Sequence, residues 1–202
     1  RGIAMSISSP GRQKITASLT ELLSIKSLSS IKVTELVRTS SVSHQTFYRY
    51  FMDKYDAAEY ACYECLSVAR TVVGPNSTVK DQTICLLNIV KSHSSFFKHL
   101  LADPDGATII RNTLIKLSTE SINFRSSPPI TNAWLYCLQE WNGNNYTLPV
   151  EEVYLKVISC YPIGEVVFGE ELKYFLEKYG SYTMSELNAS CNAKRQKDAR
   201  NK

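Results

Sequence analysis

Between Val33 and Lys54 the apolar positions fall in two short stripes separated by a polar break. Val33, Leu36 and Val37 stand at i, i+3 and i+4, the spacing of one helical face. Thr39, Ser40 and Ser41 interrupt the stripe, and Val42 is a lone apolar residue able to plug the turn into a core. Ser43 is placed to cap a second helix, because its hydroxyl can accept a free amide there. On that helix Phe47, Tyr50 and Phe51 repeat at 3 and 4 and are predicted to face inward. The opposite side carries His44, Gln45, Tyr48, Arg49 and Met52, with Thr46 at its edge. Asp53 is placed to cap a further helix, with Asp56 three residues on in a capping-box-like arrangement. Two short helices joined by a turn, the second with a polar and cationic outer face, follow the helix-turn-helix plan for a DNA major groove.

The rest of the chain continues in helical periods. A first helix is predicted from Arg12 to Ser24, burying Ile15, Leu19, Leu22 and Leu23, after an N-terminus that Pro10 and Gly11 close as a disordered stretch. A helix over Lys54 to Val73 leads away from the first three and stops at Gly74-Pro75-Asn76. The next begins at Thr78 or Asp81 and runs on through Phe96-Phe97 to Leu101. Asp103-Pro-Asp-Gly106 reads as a turn, Ala107 to Phe124 as a helix with Ile110, Leu114 and Leu117 inward, and Ser126-Ser-Pro-Pro129 as a loop. Helices over Thr131 to Trp141, Val150 to Tyr161 and Glu170 to Lys178 complete the series, with a stop at Asn142-Gly-Asn-Asn145. That makes about nine helices, no convincing strand and no repeat, an all-α chain.

Charge sharpens this picture. Residues 1–54 hold eight Lys/Arg against three Asp/Glu, a net of +5, and residues 55–191 hold ten against fifteen, a net of −5. Residues 192–202 hold five against one. The overall +4 conceals a basic head on an acidic body. Neutralising phosphate supplies most non-specific affinity for DNA, so a basic head suits that partner. No stretch approaches 18 uncharged apolar residues and residues 1–20 lack an apolar run, so neither a membrane span nor a signal peptide is expected and the location expected is cytoplasmic.

The candidate chemistry is recognition rather than catalysis. Gln45 carries an amide able to pair with a base edge, and His44 and Arg49 can donate to bases or phosphates. Thr46 and Tyr48 offer hydroxyls to phosphate oxygens, and Arg12 and Lys14 could reach the backbone or the minor groove. Lys54, in the first turn of its helix, could hold a phosphate together with the free amides there. Ser43 at the cap and Tyr50, although inward by spacing, complete the candidate contacts. Cys62-Tyr-Glu-Cys65 is a C-x-x-C within a predicted helix and reads as structural thiols, with a thiol sensor as the sharper alternative. His44, His93 and His99 are too scattered for a metal site, and no nucleophile elbow, phosphate loop or H-E-x-x-H is present. No enzyme, metal or cofactor is expected.

The run Ser43-His-Gln-Thr-Phe-Tyr-Arg-Tyr-Phe-Met-Asp-Lys54 resembles the recognition helix of the TetR family of bacterial transcriptional regulators. Thr46, Phe47, Tyr48, Phe51 and Lys54 carry the pattern, and Ile31 to Val37 is similar to that family's second helix. Ser40-Ser41 stands where the family has Ala-Gly, and Lys32 where it has a Thr or Ser cap. The resemblance covers about residues 12–62 and implies a TetR-like fold. A helix-turn-helix unit over 1–54 would precede an effector-binding and dimerisation region over 55–191 and a basic disordered tail over 192–202. It further implies a homodimer formed through the C-terminal helices, a repressor's palindromic operator in double-stranded DNA, and a small-molecule effector. Tyr63, Phe96, Phe97, Trp134, Cys137 and Leu138 are the candidate lining of the effector pocket. The alternative is a protein-interaction module of the same fold that acts as a co-activator without touching DNA.

Overall fold

The computed structural model describes residues 9–73, 79–119 and 128–159. These form nine α-helices and one 3-10 turn, with no strand among the described residues. The helices are α1 (Pro10–Leu23), α2 (Val33–Thr39), α3 (His44–Tyr50), α4 (Lys54–Val73) and α5 (Val79–Ser92). After them come α6 (Ser94–Ala102), α7 (Pro104–Thr119), α8 (Pro128–Gly143) and α9 (Val150–Ser159). The 3-10 turn Leu28–Ser30 joins α1 to α2.

The predicted stripes are the buried faces. Ile15, Leu19, Leu22 and Leu23 of α1 pack with Leu36 and Val37 of α2, Phe47 and Phe51, and Leu28 and Ile31 of the connecting turn. α4 carries small residues where neighbours come close: Ala57 and Ala58 are wholly buried, and Ala61 nearly so. Along its length α4 packs on α1, α5 and α7. α6 sits between α1, α7 and α8, and α9 closes on α5 and α8. Trp141 anchors the α8–α9 end, its ring nitrogen donating to the Leu148 carbonyl at 3.1 Å.

Several boundaries differ from the sequence reading, each for a local reason. Pro10 and Gly11 open α1 rather than close a loose N-terminus: proline needs no amide partner at a first helical position, and Ser9 caps the helix by accepting from the Arg12 amide at 3.4 Å. The single helix expected over Asp81 to Leu101 is two, broken at His93 (φ −107°, ψ 31°). Pro104 likewise begins α7 instead of turning the chain, and Pro128 and Pro129 are the first residues of α8 rather than a loop. The expected stop at Gly74-Pro75-Asn76, the helix over Glu170 to Lys178 and the basic tail lie outside the described residues.

Asp103 explains the start of α7. Its Oδ1 accepts the amides of Asp105 and Gly106 at 3.0 and 3.3 Å, an N-cap. Its Oδ2 accepts the Ser29 amide at 2.8 Å, tying the 3-10 turn to α7 across 74 residues of sequence. Burial pulls this carboxyl's pKa upward, but the amides of Ser29, Gly106 and Asp105 outweigh it and hold it below the ordinary 3.8. Gly106 is required here, since a Cβ would stand 2.2 Å from the Leu100 carbonyl oxygen.

Asp103→Asn is expected to cost roughly 1–2 kcal/mol at neutral pH by chemical denaturation, because charge-assisted bonds to the amides become neutral ones. A carboxyl whose folded pKa is depressed stabilises the fold above its unfolded value and loses that contribution as pH falls. The gap between the wild type and Asp103→Asn therefore narrows as pH drops below 3.8.

Candidate nucleic-acid interface

The helix-turn-helix geometry is set by the turn between α2 and α3. Ser40 is buried, and its hydroxyl donates back to the Leu36 carbonyl. Ser41 takes φ 52°, the left-handed region where the resembled family has glycine. Val42 then packs against the core. Lys32 makes no cap for α2; Glu35 in its first turn supplies the negative charge instead, held at 2.6 Å by Lys26. Ser43 caps α3, accepting the Thr46 amide at 3.1 Å, and its hydroxyl lies 2.9 Å from that of Thr46.

Phe47 is fully buried, and that one ring decides which way α3 faces. Phe51 stacks obliquely against it at 6.0 Å and against Tyr60 of α4 at 5.7 Å. His44, Gln45, Tyr48 and Arg49 consequently point to solvent, Thr46 lies at the rim, and Met52 is 81 % exposed. The Tyr48 ring stands edge-on to Phe47 at 5.3 Å and near-parallel to His44 at 6.5 Å, so a 57 % exposed side chain still has a defined direction.

Tyr50 is half-buried and serves as a platform for two cations. Arg12 of α1 lies 5.5 Å from its ring centre and 5.1 Å from that of Tyr60, and Arg49 lies 4.9 Å from the Tyr50 ring on α3 itself. Arg49 also donates to the Tyr50 hydroxyl at 3.1 Å. The Ser9 side chain, then Arg49 and Arg12, pull the Tyr50 phenol below its usual pKa. A Cβ on Gly11 would meet the Tyr50 ring at 2.9 Å, so glycine lets α1 approach this closely. Lys14, by contrast, is an exposed charge.

Lys54 has another task than the one read from sequence. Its ammonium donates to the carbonyls of Leu28, Ser29 and Ile31, each at 2.9 Å. An ammonium has three hydrogens, and all three are engaged within the protein, which leaves none for a phosphate. Asp53, as expected, caps α4 by accepting the amides of Tyr55 and Asp56 at 2.8 and 2.9 Å, and Asp56 reaches back to the Met52 amide at 2.9 Å.

The predicted pocket residues separate. A cleft of about 210 Å³ lies between α1, α4, α5 and α6, with Thr20, Ala61, Cys65, Val68, Ile89, His93 and Phe96 around it. Of the six residues expected to line an effector pocket, Phe96 alone borders this cleft. Phe97, Cys137, Leu138 and Trp134 are buried in the core, and Tyr63 is half-buried with Lys116 4.2 Å from its ring centre. The small residues Ala61 and Cys65 leave the space of this cleft, and a pattern of large aromatic side chains does not register it. Burial pushes the Cys62 thiol up to about 12 and the Cys65 thiol up to about 11, the opposite of what a reactive thiol needs.

No family model matches the sequence, and no curated protein does. Solved structures that it resembles include TetR regulators. A TetR transcriptional regulator from Rhodococcus sp. RHA1 is 12% identical, with 79% of this chain and 100% of that one covered, at a TM-score of 0.49. A tetR-family transcriptional regulator from Streptomyces coelicolor is 15% identical over 90% of this chain and 99% of that one, TM-score 0.47. The TetR-like regulator LfrR from Mycobacterium smegmatis, solved with proflavine, is 12% identical over 79% and 99%, TM-score 0.40. Likenesses this distant say nothing of what the chain binds, and that reading rests on the geometry around α3.

Two stability predictions follow from this geometry. Lys54→Met removes three charge-assisted bonds and is expected to lower unfolding stability by about 2 kcal/mol or more. Ser41→Gly should stabilise the protein by up to about 1 kcal/mol, since glycine accepts the left-handed conformation without a Cβ clash. Urea titrations of both variants check these values.

Proposed function

We propose that the protein is a DNA-binding transcriptional regulator whose α3 enters the major groove. The observation that carries this is the division of α3. Phe47 and Phe51 are buried, and an unbroken outer face of His44, Gln45, Tyr48 and Arg49 is left to solvent. That face joins amide, imidazole, hydroxyl and guanidinium groups on a 54-residue segment of net charge +5, the donors and charge that base edges and phosphates take. Gln45 reads a base edge, Arg49 serves bases or phosphate, and Thr46 and Tyr48 position the helix on the backbone. Ser43 and Tyr50 act as supports of that face, Ser43 as the cap and Tyr50 as the platform under Arg49. Lys54 is a positioning residue rather than a contact.

A two-fold homodimer, assembled through the C-terminal helices, would place two such helices on the half-sites of a palindromic operator. In this reading the protein is an effector-responsive repressor. An effector held by the body favours a head spacing that no longer fits, to the extent that it binds the two states unequally. Residues 1–54 are the DNA-binding unit and 55–191 the effector and dimerisation unit, in a cytoplasmic protein.

Selection of bound sequences from a random duplex pool at two salt concentrations tests the reading. A palindrome recovered with a steep salt dependence is the expected result. Recovery of nothing above background at low salt would turn the reading towards a protein-interaction module. Within the recovered site, Gln45→Ala should relax preference at one position by about 1–3 kcal/mol, and Arg49→Ala should weaken binding and reduce the salt slope by about 1.

A further inference from the structure

The cleft between α1, α4, α5 and α6 plays no part in reading DNA, yet its position and chemistry are specific. Its volume of about 210 Å³ exceeds the ~150 Å³ of an apolar cavity that holds benzene. It falls below the roughly 300 Å³ at which pockets for drug-sized ligands begin. The space is of the size of one ring. Phe96 and Ala61 are almost fully buried, and Cys65 and Ile89 are half-buried, giving largely apolar walls. Val68, 46 % exposed, and the exposed His93 stand where the cleft opens.

Two polar side chains border it, Thr20 and His93, and the first can only accept. The Thr20 hydroxyl gives its hydrogen to the Thr16 carbonyl at 2.9 Å, so only its lone pairs remain to offer. His93 Nδ1 lies 3.0 Å from both the Ser92 hydroxyl and the Ile89 carbonyl, on its own helical turn. A ligand matched to these walls and to the Thr20 lone pairs is apolar, one ring in size, and supplies a hydroxyl hydrogen. We propose that this cleft binds a small phenolic compound. Among the described residues no carboxylate or ammonium borders the cleft, so a charged ligand would lose its hydration without a counter-ion.

The regulatory consequence rests on the reading of the protein as an effector-responsive DNA binder. Thr20 belongs to α1, and α1 also packs on α2, α3, α4 and α6. His93 marks the break between α5 and α6. A ligand in the cleft therefore bears on the helix that carries the DNA-facing pair and on the joint of the body beside it.

The test is a calorimetric titration of the full chain with p-cresol in the absence of DNA. One saturable site per chain is expected. Val68→Phe, changed at a rim position that is 46 % exposed, should weaken binding by about tenfold or more as the ring occupies the mouth of the cleft. Thr20→Val keeps the volume, removes an acceptor, and should weaken p-cresol binding without altering that of toluene. No saturable binding, or affinity unchanged in both variants, overturns the proposal. Equal binding of toluene and p-cresol to the wild type overturns the phenolic assignment. Because DNA is absent, failure here leaves the operator selection untouched, and failure of that selection with p-cresol bound would remove only the regulatory consequence.

Discussion

The short turn Leu28–Ser30 is gripped from two sides, and the placement of α3 depends on that grip. Its carbonyls, with that of Ile31, point at one ammonium, and its Ser29 amide points at one carboxylate. Buried backbone groups need partners, and a three-residue turn cannot supply them from within. Lys54 is the first residue of α4 and follows α3 by only four positions. The same contact that satisfies the turn before α2 therefore fixes the chain directly after α3. Asp103 adds the start of α7, so the N-terminal helices are tied to the body by polar bonds as well as by apolar packing.

Held at both ends, α3 has one rotational choice, and Phe47 makes it. Every residue on its outer side is then available because none is needed inside. The cationic members of that surface are not free-swinging. Arg12 and Arg49 share the Tyr50 ring, which Gly11 allows α1 to approach. Pre-positioned guanidiniums lose less freedom on meeting a phosphate, which favours affinity without adding a contact.

Much of this was legible because it is local. Apolar spacing identified the buried faces of α1, α2 and α3, the cap at Ser43, and the bounds of α4 at Lys54 and Val73. The turn at Ser41 was legible too, as a place where glycine would be easier. What was missed depends on partners far along the chain. Lys54 looks like a phosphate ligand until the carbonyls 23 to 26 residues before it are in view. Asp103 looks like a turn residue until Ser29, 74 positions away, is found against it. The break at His93 lies between two serines with no glycine or proline to announce it. Prolines at 10, 104 and 128 misled in the other direction, since the residue that ends a helix from within also begins one well. The cleft escaped because a space is made by what is small, and sequence patterns register what is large.

Hydrogen–deuterium exchange of the full chain, with and without a selected duplex, most directly tests whether α3 is the DNA-reading element. Protection is predicted to concentrate in peptides covering residues 41–52, with a second, smaller effect at the start of α1. Protection confined to α5 through α9, with residues 41–52 exchanging as in the free protein, would contradict it.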